Sequence, residues 1–368
     1  MHFINKSVSL LNFCTFSHSR KNKSGQTASM MKKLLPFFVL LLCPFLQQTV
    51  KAQDPHFTQF FSSPLTLNPA YTGLFTGDLR VAANYRSQWA AIALPYVTGT
   101  VSADFGILKN TIPYNDRWGV GGIAMYDRQA GGGLKTTYIG FSTAYHKGLN
   151  REGSQSLAVG FQASFAQKRL DYSKLVFENQ LTNLGFDPTV PSGEYFANST
   201  VSYPDFNVGV LYNASLGTFG NLYAGASYYH INQPDQSFLK ARKAILHNRW
   251  TIHGGGGWAP TPKTRIYLSG LYMQQAGAYE LAAGGAVGFV LNNDPMDADL
   301  LFLGSWFRLN DAINPYVGVD LDRLHIGLSY DINISSLNAA SNYRGGAELS
   351  LVYIFKKSNT KTINCPRF

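Results

Sequence analysis

The sequence predicts an all-β fold: a transmembrane antiparallel β-barrel of the outer membrane, with about 14 strands and roughly 12 to 16 compatible with its pattern. Three observations lead there. Charged residues make up 14% of the chain and aromatic residues another 14%, with 21 Tyr and 25 Phe beside 35 Gly. Soluble domains carry about 25% charge, so this chain has too little to coat two of them. Many segments of about ten residues alternate apolar and polar side chains, which matches the reach of a tilted membrane-spanning strand. A leader of the kind found on exported proteins precedes them.

Residues 30–53 carry that leader, with Lys32 and Lys33 ahead of the 13-residue apolar run 34–46. A spanning helix needs about 20 residues, so the run is too short to anchor the chain. Val50-Lys51-Ala52 offers a small residue to a signal peptidase, and cleavage is expected between Ala52 and Gln53. A lipid-modified Cys43 is the weaker reading, because Leu42 stands where a small residue is wanted. Residues 1–29 read as an extension upstream of a natural start at Met30 or Met31.

Removing the leader also settles the charge. Lys6, Arg20, Lys21, Lys23, Lys32, Lys33 and Lys51 lie in 1–52, which hold no acid, so the formal +10 falls to +3 in the mature chain. Nothing in that balance calls for nucleic acid. Cys14 and Cys43 leave with the leader, and Cys365 alone forms no disulfide within one chain.

Segment 53–77 opens the mature chain. Pro55, Pro64 and Pro69 oppose a regular strand or helix, while Asn68-Pro69 and Thr72-Gly73 are turn chemistry. Phe57, Phe60, Phe61, Leu65, Leu67 and Tyr71 nevertheless give this irregular stretch much apolar surface to bury. It is expected to pack in or against the periplasmic mouth of the barrel as a plug or partner contact, through Phe57, Phe60, Phe61, Asn68, Pro69, Tyr71 and Gly73. A flexible periplasmic tail is the alternative.

The barrel is expected over 78–357, followed by a tail, 358–368. In the first strand Leu79, Val81, Ala83 and Tyr85 oppose Arg80, Ala82, Asn84 and Arg86; in the next, Val97, Val101, Ala103 and Phe105 oppose Thr98, Thr100, Ser102 and Asp104. Leu157, Val159, Phe161, Ala163 and Phe165 then oppose Ser156, Gly160, Gln162 and Ser164. Near the end, Leu324, Ile326, Leu328 and Tyr330 oppose His325, Gly327, Ser329 and Asp331, and Ala347, Leu349, Leu351, Tyr353 and Phe355 close the series. Weaker alternation marks 117–128, 134–146, 206–214, 221–231, 248–258, 264–274, 279–291, 299–309 and 313–321. Trp89, Trp118, Tyr126, Trp250, Trp258 and Trp306 suit the aromatic girdles at the membrane interfaces, with ordinary core packing the alternative for some of them. The longest connection, 169–204, is placed on the extracellular side.

Catalytic chemistry finds no foothold. His56, His146, His230, His247, His253 and His325 form no H-E-x-x-H pattern and adjoin no serine-nucleophile motif. A polar lumen already accounts for His325 and Ser329 sharing an inward face. Gly254 to Gly257 suits strand bending and close packing better than a phosphate cradle. Asn292, Asn293, Asp294, Asp297 and Asp299 read as a solvated turn rather than a Ca²⁺ site. No enzyme activity, cofactor or metal is expected.

The stretch Gln53-Asp54-Pro55-His56-Phe57-Thr58-Gln59-Phe60, followed by Asn68-Pro69-Ala70-Tyr71-Thr72-Gly73, resembles the opening of the PorP/SprF family of type IX secretion system outer-membrane proteins, with Q-D-P-x-F-x-Q-[FY] and then N-P-A-Y-x-G. The resemblance continues through Tyr85-Arg86-Ser87-Gln88-Trp89, Tyr126-Asp127-Arg128-Gln129, a Pro204-Asp205-Phe206-Asn207 turn, His230-Ile231-Asn232-Gln233-Pro234 and Ile326-Gly327-Leu328-Ser329-Tyr330-Asp331. It implies a non-enzymatic role in protein export across the outer membrane, including delivery or anchoring of gliding adhesins. The implied partners are outer-membrane lipid, a secreted client protein and a periplasmic OmpA-like, peptidoglycan-associated component. A channel for small or hydrophobic solutes is the alternative; a wide aqueous porin would line its lumen with many charges, and few are expected here.

Overall fold

The computed structural model describes residues 54–109, 111–194, 198–217, 220–239, 243–292 and 299–356. The leader, the expected cleavage between Ala52 and Gln53, the tail with Cys365, and Asn293, Asp294 and Asp297 of the polar turn lie outside the described residues.

Alternation in the sequence becomes one closed sheet. Its 14 strands are β1 (Leu79–Gln88), β2 (Tyr96–Ile107), β3 (Arg117–Gln129), β4 (Leu134–Gly148), β5 (Gln155–Leu170), β6 (Thr200–Ser215), β7 (Gly220–Tyr229), β8 (Arg249–Thr261), β9 (Thr264–Gln275), β10 (Ala278–Val290), β11 (Leu300–Arg308), β12 (Ala312–Leu321), β13 (Leu324–Asn333) and β14 (Arg344–Phe355). Each pairs antiparallel with its neighbours in sequence, and β14 returns to β1 in register from Leu79↔Phe355 to Gln88↔Gly346. Closure leaves the sheet no free edge, the condition for a strand set to sit in hydrocarbon. β1 starts and β14 finishes at one end of the barrel, here the terminal end. The long connections 171–199 and 230–248 lie at the other, here the long-loop end.

Facing follows the predicted alternation where one face is polar. Thr98, Thr100, Ser102 and Asp104 of β2 are buried inward, whereas Val101 is 54% exposed on the outside with Ala103 and Phe105. Arg80, Ala82, Asn84 and Arg86 of β1 also point inward. Trp89, Trp118, Tyr126, Trp250 and Trp258 are exposed on the outside. Trp306 is the exception and corrects the girdle assignment: it is 2% exposed and donates from Nε1 to Ser269 Oγ at 3.0 Å inside the lumen. Most of β11 is apolar on both faces, with Leu300, Phe302 and Trp306 inward and Leu303 and Phe307 outward, and its two polar residues divide, Ser305 outward and Arg308 inward, so its phase is poorly marked.

Two further expectations change. The connection expected over 169–204 shrinks, because β5 runs to Leu170 and β6 starts at Thr200; a small hairpin, Leu181–Thr182 with Gly185–Phe186, occupies its middle. The expected Pro204–Asn207 turn is therefore strand. Pro204 is tolerated because it pairs with Phe165 of β5 on one side, while pairing with β7 begins only at Val208. A proline missing its N–H fits such a half-open edge. Connection 230–248 covers that edge, with Ile231 N–H donating to Phe206 O at 3.0 Å and Asn232 Nδ2 to Pro204 O at 2.8 Å.

The glycine run in β8 supports packing. A Cβ on Gly255 would lie 2.7 Å from the Tyr223 hydroxyl, and one on Gly257 would lie 2.8 Å from the Tyr267 ring. Rings from the adjacent strands occupy the space those glycines leave.

Candidate functional site: an N-terminal segment threaded through the barrel

Proline and asparagine give the segment before β1 its path. It advances by short turns, Phe60–Ser62, Pro64–Leu67 and Pro69–Tyr71, and Pro64 and Pro69 begin turns whose first N–H would be unbonded in any case. Asn68 joins two of these turns. Its Oδ1 accepts from Ala70 N–H at 2.8 Å, and its Nδ2 donates to the wall carbonyls Val210 O at 3.0 Å and Ala226 O at 3.2 Å. At Gly73 the backbone takes φ 78°, a left-handed conformation that favours glycine, and lies directly on Gly119 of β3.

From Phe75 the segment climbs the whole lumen. At the terminal end, Arg117 Nη1 donates to Gly73 O at 2.7 Å and Phe75 O at 2.6 Å. Arg80 forms an ion pair with Asp104 at 2.8 Å and also donates to Tyr71 O at 3.1 Å and Leu74 O at 3.3 Å. Gly73 N–H completes this clasp by donating to Asp104 at 2.6 Å.

In the middle, the hydroxyls of Thr72 and Ser142 are 2.6 Å apart, Tyr71 stacks on His253 with centroids 5.4 Å apart, and Phe61 packs on Trp306 at 4.6 Å. An apolar cluster joins Phe60, Leu67, Tyr71 and Leu74 of the segment to wall residues including Tyr223, Tyr267, Phe302 and Tyr316.

Higher up, charges bind the segment to the seam where the sheet closes. Glu348 of β14 accepts from Thr58 N–H at 2.8 Å and Gln59 N–H at 2.9 Å. Ser350 donates to Gln59 Oε1 at 2.6 Å, and Gln59 Nε2 donates to Ser329 Oγ at 3.0 Å. Arg86 of β1, register partner of Glu348, donates to His56 O and pairs with Asp331 at 2.7 Å. Arg308 reaches the same Asp331 at 2.7 Å. Left single, any of these buried charges would be costly; in a network each has its partner. The expectation of few lumen charges is thereby corrected: they are numerous, and the segment and wall pair them.

The tip lies at the long-loop end. His56 pairs with Glu280 at 2.8 Å, and Asp54 N–H donates to Gln275 Oε1 at 2.8 Å. His230, in the connection just beyond β7, sits between Asp54 at 2.5 Å and Asp205 at 2.9 Å, with Arg249 at 3.4 Å from Asp54. Burial opposes the charge on His230, but the two carboxylates outweigh it and raise its pKa from 6.5 to about 9. Burial likewise opposes the charge on Asp54, yet His230 and Arg249 hold its carboxyl below the usual range.

The pattern described as "Type IX secretion system membrane protein PorP/SprF" matches residues 49–353 of this chain. The chain belongs to the PorP/SprF family. As a PorP/SprF protein with a closed 14-stranded barrel, it is a multi-pass outer-membrane protein of the type IX secretion system. No curated protein matches the chain. Among solved structures, the toluene transporter TodX of Pseudomonas putida is similar, with 8% identity, 82% of this chain and 94% of that chain covered, and a TM-score of 0.47. The toluene transporter TbuX of Ralstonia pickettii gives 10% identity, 83% and 96% coverage, and 0.44. The translocator domain of the autotransporter NalP from Neisseria meningitidis gives 10%, 90% and 98%, and 0.36. At those scores the likenesses carry no functional argument.

Of the residues singled out in this PorP/SprF sequence, Phe57, Phe60, Asn68, Pro69, Tyr71 and Gly73 are buried in the lumen, and Phe61 is half-buried against Trp306 and Tyr316. The segment does not stop at the periplasmic mouth as expected; it spans the lumen to the opposite end. Sequence reasoning missed the polar half of the arrangement: Asp54, Thr58, Gln59 and Thr72 on the segment, and His230, His253, Arg308 and Glu348 on the wall. Inward arginines and aspartates such as Arg80, Arg86, Asp104 and Asp331 were visible on the polar strand faces, and demand for a partner was the available signal. His325 meets Asp320 at 2.5 Å and the Tyr316 hydroxyl at 3.0 Å, while Ser329 serves Gln59. Among the described residues no group of acids, histidines or cysteines is arranged to hold a metal.

Proposed function

We propose that this protein is a sealed, non-enzymatic barrel of the type IX secretion system, which supports export or surface anchoring of secreted proteins such as gliding adhesins without passing them through its own lumen. The observation that carries the reading is the segment 54–75, bonded to the wall at both ends and along its length. A conduit or solute channel of this kind would first have to break the Arg80–Asp104 clasp, the Glu348 contacts and the Asp54–His230 pair. The rest of the work then falls to the barrel's outer surfaces: the exterior toward outer-membrane lipid, one end toward a secreted client, and the other toward a periplasmic OmpA-like, peptidoglycan-associated component. The segment residues Phe57, Phe60, Phe61, Asn68, Pro69, Tyr71 and Gly73 act in this reading as the internal post that holds those surfaces in shape.

A disulfide lock tests it. Thr72→Cys with Ser142→Cys replaces two facing hydroxyls 2.6 Å apart and fixes the segment to β4. Deleting the protein is expected to remove the client from the cell surface, and the oxidised double variant is expected to restore it while conducting no ions in a planar bilayer. Display that survives deletion, or that fails only when the lock is oxidised, overturns the reading; the second result would make the lumen the path.

A further inference from the structure

Outside the lumen, at the long-loop ends of β7, β8 and β9, the outward face carries a concavity of about 220 Å³. Tyr228, Trp250, Gln274 and Gln275 line it from the strands, and His247, Asn248 and the Ala276–Gly277 turn line it from the rim. Its register is regular: Tyr228 pairs with Trp250 and Trp250 with Gln274, so an aromatic ring, a second ring and a carboxamide stand side by side on three strands. Tyr272 and Tyr279 extend the platform, the first 5.1 Å from Trp250 and the second stacked 6.2 Å further on.

Interfacial Trp and Tyr alone would make only a girdle, in which rings lie at the headgroup level of any lipid. Two features go beyond that. The rings border an open hollow rather than standing alone on the wall. Among the described residues the lining also pairs ring faces with carboxamide and imidazole groups and contains no Asp, Glu, Lys or Arg. Ring faces meet the C–H face of a sugar, and carboxamides both donate to and accept from hydroxyls. A phosphate or carboxylate would want a cation, which the described lining residues do not supply.

We infer that this hollow is a docking site for a neutral sugar of the saccharide headgroup of an outer-leaflet glycolipid. Long connections mark the extracellular end of outer-membrane barrels, so the hollow opens at the level where that saccharide begins.

The test uses the full barrel in phosphatidylethanolamine nanodiscs with and without lipopolysaccharide, read by hydrogen–deuterium exchange over 247–250 and 274–277. Lipopolysaccharide is expected to slow exchange there, and the de-acylated saccharide added to detergent-solubilised barrel is expected to do the same. Trp250→Ala and Gln274→Ala should each weaken the saccharide by about tenfold, the loss of one good contact, while Trp250→Phe, which keeps a ring, retains most of the binding. Heat-modifiable migration on gels reports that each variant is folded. Equal protection by phosphatidylethanolamine alone, protection by inorganic phosphate, or undiminished saccharide binding in folded Trp250→Ala overturns the proposal.

Discussion

Gly160 and Gly209 show how far single residues commit this barrel to its contents. A Cβ at Gly160 would stand 2.3 Å from Ala70 N, and one at Gly209 would stand 1.9 Å from Asn68 Oδ1. At Gly160 the obstacle is backbone, which has nowhere to go. Gly160→Ala is therefore expected to lower stability by about 1–3 kcal/mol through overpacking, whereas Gly270→Ala, whose nearest neighbour is Ala282 O at 3.4 Å, should change it little. Denaturant unfolding of the two variants checks this; equal effects would mean that the segment yields. Individual residues were legible where chemistry differed between faces. Thr98 and Asp104 announced the inside of β2, but Trp306 did not announce its own, because its strand offers hydrophobic residues to lipid and lumen alike and sets Ser305 outward against Arg308 inward.

Elements were legible from alternation, and so were their number and order, since a barrel joins strands that are neighbours in sequence. The segment's path was not legible. Thr58 and Glu348 meet across 290 residues, and nothing local in Phe57-Thr58-Gln59 names that partner. Its tip makes a further prediction through His230, which is faced by Asp54 and Asp205, with Arg249 and Lys168 acting on Asp54 from the wall. The folded pKa is raised from 6.5 to about 9, so the stabilisation from the imidazolium is fully present below pH 6.5 and lost as pH rises through 9. In a Cys365→Ser background, a fluorophore on Pro55→Cys is expected to keep high anisotropy at neutral pH and lose it above pH 9; with His230→Gln it should be mobile throughout. Anisotropy that holds above pH 9 with His230 in place would show that Gln275 and Arg249 alone hold the tip.

At the scale of the whole molecule, the segment sets an orientation. It enters the lumen at the terminal end and places Asp54 at the long-loop end, which the loop rule makes the cell exterior. In a Cys365→Ser background, Pro55→Cys is expected to react on intact cells with a polyethylene-glycol maleimide too large to cross the outer membrane. Thr111→Cys, in the turn after β2 at the terminal end, should react only after the membrane is permeabilised. The reverse pattern would invert the barrel, and labelling of neither until the protein unfolds would bury the tip more deeply than its contacts indicate.

The seam between β1 and β14 fixes an order of events as well as a shape. Arg86 and Glu348 meet in register there and both hold the segment, through His56 O and through the Thr58 and Gln59 N–H groups. Once those strands have paired, the lumen wall is continuous, and the stretch from Asp54 to Phe75 reaches its place either by lying inside before closure or by threading in from the terminal end afterwards. On both routes its contacts at Thr58 and Gln59 wait for the last strand, because Glu348 belongs to β14. Pairing of such distant parts is slow to nucleate, so until β14 arrives Arg86 of β1 stands without its register partner.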